Sequence, residues 1–411
     1  MPVLYLGSCD AGKRPNSRTA YLKPYHTDGL LIGKVSFRDD DRTKWRSFRE
    51  SSGNDVLQLQ KFLHGAGFMP RCAFDGVFGY VTQAAARLFQ EYVRSTENVP
   101  SMVPDGIVGS GTWSHIHRWI QEGKVSEWGK HSASNPTPKY THWMNLLNQA
   151  KQHYVANPGP ILKHLNSLSK TYATKKPKDW DFSSNNIHLI GVRRKQTEST
   201  TRRDNDDLFF LLINGMVFTF WGSTDPSVAM AQRKDEAFLI EGQHLYRFGW
   251  HKISVEKKIY RALKPADHNG VMIIRDWDND NAFTNNDIKV TDSQGKLKGL
   301  RVNPSINIHW TGVGRSNFSA GCQVIAGKSY LNHKKELQDC SKFASTSYGE
   351  LTDSDKKTKG AYNVFTDLVL CYAPPNVTQL HYTLGREESL DLSANFGGDF
   401  ASKTLNLLKS V

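Results

Sequence analysis

Two short stretches of the chain carry the residue types that acyl-transfer chemistry needs. Ile306-Asn307-Ile308-His309-Trp310-Thr311-Gly312 precedes Ser319-Ala320-Gly321-Cys322-Gln323-Val324-Ile325, and the pattern reads as strand, loop and a small-residue turn presenting a cysteine. A thiol with an ordinary pKa of ~8.5 is mostly protonated at neutral pH, so a nucleophilic cysteine needs a base or a cation beside it. His309 is the obvious supplier. Gly321 lets the backbone turn sharply, which would aim the N–H groups of Gly321 and Cys322 at an oxyanion developing on a carbonyl. The plainer reading makes His309 a satisfied core histidine and Cys322 an inert buried thiol; it needs both coincidences within one motif.

The arrangement resembles the catalytic signature of the L,D-transpeptidases, in which a His-Gly segment precedes S-x-G-C. The resemblance implies Cys322 as nucleophile and His309 as base, with Ser319 and Gly321 matching the motif around them. Trp310 stands where a Gly is usual, Ala320 fills a position that is often basic, Gln323-Val324 replaces the usual ending, and the loop is short. These departures bear on substrate stereochemistry more than on the thiol–imidazole pair. Phe220 to Pro226, Glu241 to His244, Gly249 to Lys252 and Arg275 to Asp280 are similar to a divergent branch found in phage and bacterial wall proteins. That likeness implies a substrate-binding set of His251, Arg275, Asp276 and Trp310: His251 assisting on the substrate side, Arg275 and Asp276 orienting a peptide carboxylate or amine. A surface hairpin or a structural ion pair is the plainer alternative.

Metal-dependent hydrolysis is the main rival chemistry for a wall enzyme. The chain has no H-E-x-x-H, and the aspartate-rich run Asp276 to Asp280 lacks the Gly and Glu of a calcium loop, so neither metal nor other cofactor is expected. Nothing singles out the paired carboxylates of a glycosidase.

The elements around these motifs change character along the chain. Val56, Leu59 and Leu63 recur at helical spacing, Ala85, Leu88, Phe89 and Tyr92 follow Thr82, and Trp113, Ile116 and Ile120 follow Thr112. Two copies of D-G-x-x-G-x-x-T, at Asp75 to Thr82 and Asp105 to Thr112, separate the helices. In each, Gly supplies a positive φ, Asp binds nearby N–H groups, and Thr is placed to cap the next helix. With Leu57-Gln58-Leu59-Gln60 and Phe89-Gln90, residues 52–120 resemble the peptidoglycan-binding-like domain that accompanies many wall hydrolases. An unrelated helical bundle with the same caps is the alternative.

The expected layout is an irregular leader at 1–51, that domain at 52–120, a polar linker at 121–140, a helical connector at 141–184 broken at Asn157 to Pro160, a catalytic domain at 185–385 and a tail at 386–411. Short apolar runs from Ile187 onward, with the hairpin signal Asn214-Gly215, predict mainly β structure in the catalytic region. The fold class expected is α+β multidomain: a small three-helix peptidoglycan-binding domain plus a mainly β domain like that of the L,D-transpeptidases. With 53 Lys and Arg against 40 Asp and Glu the net charge is +13, which favours encounter with a polyanion. No nucleic-acid signature accompanies it, and no apolar stretch suits membrane insertion. Peptidoglycan is therefore the expected partner. The opening residues lack the apolar core of a signal peptide, so the expectation is synthesis in the cytoplasm and action at the wall or in the periplasm. A phage lysin, or an antibacterial effector delivered by a secretion-system carrier and matched by an immunity protein, fits that route. A non-enzymatic wall-binding or virion protein is the competing class.

Overall fold

The two D-G-x-x-G-x-x-T copies fold into the same device. In a computed structural model, which describes residues 1–13, 49–50, 52–70, 74–194, 204–227, 236–251, 260–278, 284–314, 316–347, 357–374 and 377–411, three helices occupy the N-terminal part. They are α1 (Asp55–Gly65), α2 (Tyr80–Thr96) and α3 (Ser110–Glu122). From α1, Gln60 donates through Nε2 to Asp75 Oδ1 at 2.7 Å, the Val77 carbonyl at 3.1 Å and Thr82 Oγ1 at 3.2 Å. From α2, Gln90 repeats this to Asp105 Oδ1 at 3.3 Å, the Ile107 carbonyl at 2.9 Å and Thr112 Oγ1 at 3.2 Å. Gly76 and Gly106 have φ of 71° and 78°, as the turn demands. The threonines are not caps: the N-cap positions fall on Gly79 and Gly109, and each Thr hydroxyl instead receives a Gln amide from the preceding helix.

The described start of the leader is part of this unit. Leu4 and Val108 exchange backbone hydrogen bonds at 3.1 and 2.8 Å, and Asp10 accepts from the N–H groups of Val56 and Leu57 at 2.8 and 2.9 Å, capping α1 across 46 positions of sequence. β1 (Ser8–Cys9) pairs in parallel with β2 (Arg49–Glu50).

Residues 121–140, read as a polar linker, are anchored at Ser126 and Trp128 while much of the segment stays exposed. In α4 (Glu127–Lys130) Trp128 is 1% exposed, set against Phe68, Tyr92 and Phe218, while Asn214 donates to the carbonyls of Trp128 and His131 at 3.1 and 2.8 Å. Beyond it lie α5 (Pro138–Ala156), capped by Thr137, and α6 (Pro160–Ser167), separated at Asn157 to Gly159.

The C-terminal region is built on an eight-stranded barrel. Its strands are β3 (Ile187–Arg193), β4 (Asp207–Ile213), β5 (Met216–Ser223), β7 (Gly242–His251), β8 (Tyr260–Pro265), β11 (Ile308–Trp310), β12 (Gln323–Ile325) and β15 (Leu380–Arg386). They run in the order β12-β11-β8-β7-β15-β3-β4-β5, and β12 pairs back onto β5. Closure depends on Gly222, where a Cβ would fall 1.8 Å from the Val324 carbonyl oxygen. The β4–β5 hairpin turns through Asn214 (φ 50°) and Gly215 (φ 72°), as the Asn-Gly pair predicts. β13 (Ser329–Leu331) and β14 (Leu337–Asp339) extend the sheet beyond β5, and β6 (Ala237–Leu239), β9 (Val271–Arg275) and β10 (Arg301–Asn303) form a separate small sheet. α7 (Ala361–Tyr372) is buried throughout and shares one apolar cluster with the barrel interior and the N-terminal helices. A second cluster lies under α5, α6, α8 (Leu392–Phe396) and α9 (Phe400–Lys409). The predicted mainly β character of this region holds, with α7 an addition that the strand pattern did not announce.

Candidate active site

β11 and β12 lie side by side in parallel, with His309 in register with Val324. Asn307 and Cys322 are the next pair outward, since the Gln323 N–H donates to the Asn307 carbonyl at 2.9 Å. Paired residues of a parallel ladder share a face, as do residues two apart on one strand, so His309 and Cys322 stand on the same face. Their neighbours Ile308, Trp310 and Ile325 point the other way into the core. Both His309 and Cys322 are partly exposed.

Each side chain is held by backbone groups. His309 Nδ1 lies 2.9 Å from the Trp310 carbonyl. A carbonyl only accepts, so Nδ1 carries a proton. Cys322 Sγ donates to the Ser305 carbonyl at 3.1 Å and receives the Asn307 N–H at 3.4 Å. The His251 ring stacks on the His309 ring with centroids 4.4 Å apart and planes 18° apart, fixing the plane of the imidazole from one side. Below, burial holds the Tyr246 hydroxyl well above its ordinary pKa, with the Cys322 charge adding to the effect, and Tyr246 donates to the Ile306 carbonyl at 3.1 Å.

The turn before Cys322 is closed by Ser319, whose Oγ donates to the Cys322 carbonyl at 2.5 Å and accepts the Gly321 N–H at 3.3 Å. In this resting arrangement the Gly321 N–H is engaged within the turn. Gly321 has φ 150°, and a Cβ on it would lie 3.2 Å from the Ala237 carbonyl oxygen. Asn317 anchors the turn to the barrel, donating through Nδ2 to Ser223 Oγ at 3.0 Å and the Asp225 carbonyl at 2.8 Å while accepting from the Ser319 N–H at 2.9 Å. Asp225 is in turn paired with Arg193 at 2.8 Å. Beside it burial and the Asp225 charge push Asp207 well above the carboxylate range, and Asp207 accepts from Thr224 N–H and Oγ1 at 2.6 and 2.8 Å. Sequence reasoning missed Asn317, although an Asn two residues before Ser319 is an Asx-turn signal.

The expected substrate-binding set divides. His251 is in the site. Arg275 pairs with Ala237 across β6 and β9, one strand removed from the Gly321 turn. Trp310 is 2% exposed and its ring packs against Tyr260 inside the barrel, so its contribution to the site is its carbonyl, not a substrate contact. Asp276 is 1% exposed, and its carboxylate converges with those of Asp278 and Asp287 within 4.8 Å, so it is not presented to a substrate amine. Among the described residues, that trio is the group that could hold a metal ion.

Comparison with known proteins bears on the N-terminal part. The family model for a peptidoglycan binding domain matches residues 52–116. Residues 52–116 are a peptidoglycan-binding domain. The match ends four residues short of the boundary read from the sequence. No curated protein matches the chain. A crystal structure of a fused Zn-dependent amidase/peptidase/peptidoglycan-binding domain-containing protein from Clostridium acetobutylicum aligns over 82% of this chain and 96% of its own, at 12% identity and a TM-score of 0.22. At that score the likeness carries no argument about fold or chemistry.

Proposed function

We propose that the barrel domain is a cysteine acyltransferase acting on peptidoglycan stem peptides, brought to its substrate by the peptidoglycan-binding domain. The observation that carries this reading is the placement of His309 and Cys322 on one face of adjacent parallel strands, with the imidazole's Nδ1 tied to the Trp310 carbonyl. The Cys322 sulfur, its proton passed to His309 Nε2, attacks a peptide carbonyl carbon and forms a thioester. The leaving amine takes the proton from His309. An acceptor amine, deprotonated by the same histidine, then gives transpeptidation, and water gives carboxypeptidase or endopeptidase cleavage. The Asn307 N–H at Sγ favours the thiolate.

A second reading, a non-catalytic wall-binding protein, draws on the resting contact between the Cys322 thiol and the Ser305 carbonyl, a bond that an inert thiol also makes. Mass spectrometry of muropeptides incubated with the protein and with Cys322→Ala separates the two. Cross-linked or trimmed products that vanish in the variant support the enzyme; unchanged muropeptides leave the binder.

A further inference from the structure

Phe318 lies in the loop that joins β11 to β12, inside the segment that forms the Cys322 turn, and 64% of it is exposed. A single exposed apolar residue is ordinary on a protein surface and needs no explanation by itself. Phe318 differs in how its neighbours are fixed. Asn317 is buried and bonded to Ser223 and Asp225. Ser319 is buried as well, bonded through its hydroxyl to the Cys322 carbonyl and through its own carbonyl to the Ser227 N–H at 2.6 Å. Both flanking residues are committed inward, so the backbone on either side of 318 is held while the ring stands in water. A phenyl group held in water by a pinned turn keeps its apolar surface for something that arrives later.

Phe318 and Cys322 are four positions apart, which limits the chain between them to about 14 Å. The Ser319–Cys322 bond draws the turn tighter. Phe318 and Cys322 therefore belong to one short turn, with an exposed ring at its start and the thiol at its end.

We infer that Phe318 is a specificity-determining residue that packs on the aliphatic surface of the stem-peptide residue flanking the attacked carbonyl. The inference rests on the proposed reaction site. Its physical basis is that a stem peptide presents few apolar groups, and an aromatic face next to the nucleophile selects for them while excluding water from the developing thioester.

The test uses the full-length protein and a soluble stem tetrapeptide without sugar. Iodoacetamide labelling of Cys322 is followed by mass spectrometry as the peptide is added. The peptide protects Cys322 in the wild type, Phe318→Ala raises the half-protecting concentration about tenfold, and Phe318→Tyr stays within about twofold. Labelling of Cys322 without peptide proceeds at the same rate in all three, which reports an intact turn. Equal protection of wild type and Phe318→Ala overturns the inference, and so does a wild type whose Cys322 the peptide never protects. Protection that depends on Phe318 without any turnover of the peptide would refute the acyltransferase reading and leave the contact standing.

Discussion

At the scale of single residues, the candidate site is a thiol and an imidazole whose surroundings are mostly backbone carbonyls and amides. In the proposed reaction His309 and Cys322 act as one unit, so His309→Ala and Cys322→Ala are each expected to abolish muropeptide turnover, with the double variant no worse than either single. Wall binding by residues 52–116 is expected to persist in both, read by pelleting with sacculi. Iodoacetamide should label Cys322 ahead of Cys9, Cys340 and Cys371, which are buried; burial pushes the latter two thiols well above their ordinary pKa. Cys72 lies outside the described residues. Slower labelling of Cys322 in His309→Ala is the expected signature of the pair. Full turnover by Cys322→Ala, stopped by EDTA instead, would transfer the chemistry to a metal site.

At the scale of elements, the barrel strands also bury histidines that lie outside the candidate pair. His188 on β3 and His244 on β7 are each held down to about 4 by burial. The sign follows from linkage: the unfolded chain binds protons near its ordinary pKa of ~6.5 while the folded chain does not, so stability present above pH ~6.5 is lost as pH falls toward 4. Asp206, pushed up to about 6 mainly by burial and the Asp225 charge, works in the opposite sense, since the folded state takes up its proton first and gains stability as pH falls through that value. Burial also lowers His333 and His381, so four depressed histidines against the raised Asp206 and Asp207 give a net loss of stability on acidification between pH 7 and 4.5. Urea unfolding across that range checks it, and His188→Gln should flatten the slope. A midpoint that rises from pH 7 to 4.5 would contradict the account.

Across the whole molecule, the peptidoglycan-binding domain is joined to the barrel by a buried surface and not by a tether. Arg87 of α2 makes two bonds to Asp367 of α7, at 2.7 and 2.8 Å; Glu91 accepts from Tyr330 at 2.6 Å, and Arg94 donates to the Asp339 carbonyl at 2.9 Å. Arg261 also approaches Asp367 at 3.8 Å. Deleting one member of a buried pair strands a charge and costs about 3–5 kcal/mol, whereas replacing both with apolar groups is often neutral. Asp367→Leu, which strands two arginines, should therefore be worse than Arg87→Met, and the double variant should recover part of the loss. Coincident urea transitions by tryptophan fluorescence and far-UV circular dichroism are expected, because one apolar cluster runs through both parts. Two separated transitions would show that the parts fold independently.

What the residues alone determined is what short-range physics encodes. The D-G-x-x-G-x-x-T repeat carries its own turn chemistry, and the peptidoglycan-binding reading it supported agrees with the family match. Asn214-Gly215 forces positive φ at two successive positions and yields its hairpin. The small-residue turn before Cys322 is likewise local. Tertiary structure decided everything that depends on which partner arrives from far along the chain. Asp10 caps a helix 46 positions away, Gly222 admits β12 and closes the barrel, and the polar segment 121–140 is pinned at Trp128 by Asn214 and an aromatic cluster. The parity of β11 is the sharpest case. His309 and Trp310 are adjacent in sequence, and only the location of the core sends the Trp310 ring inward and leaves the imidazole on the face it shares with Cys322, because strand alternation separates neighbours without saying which side is wet.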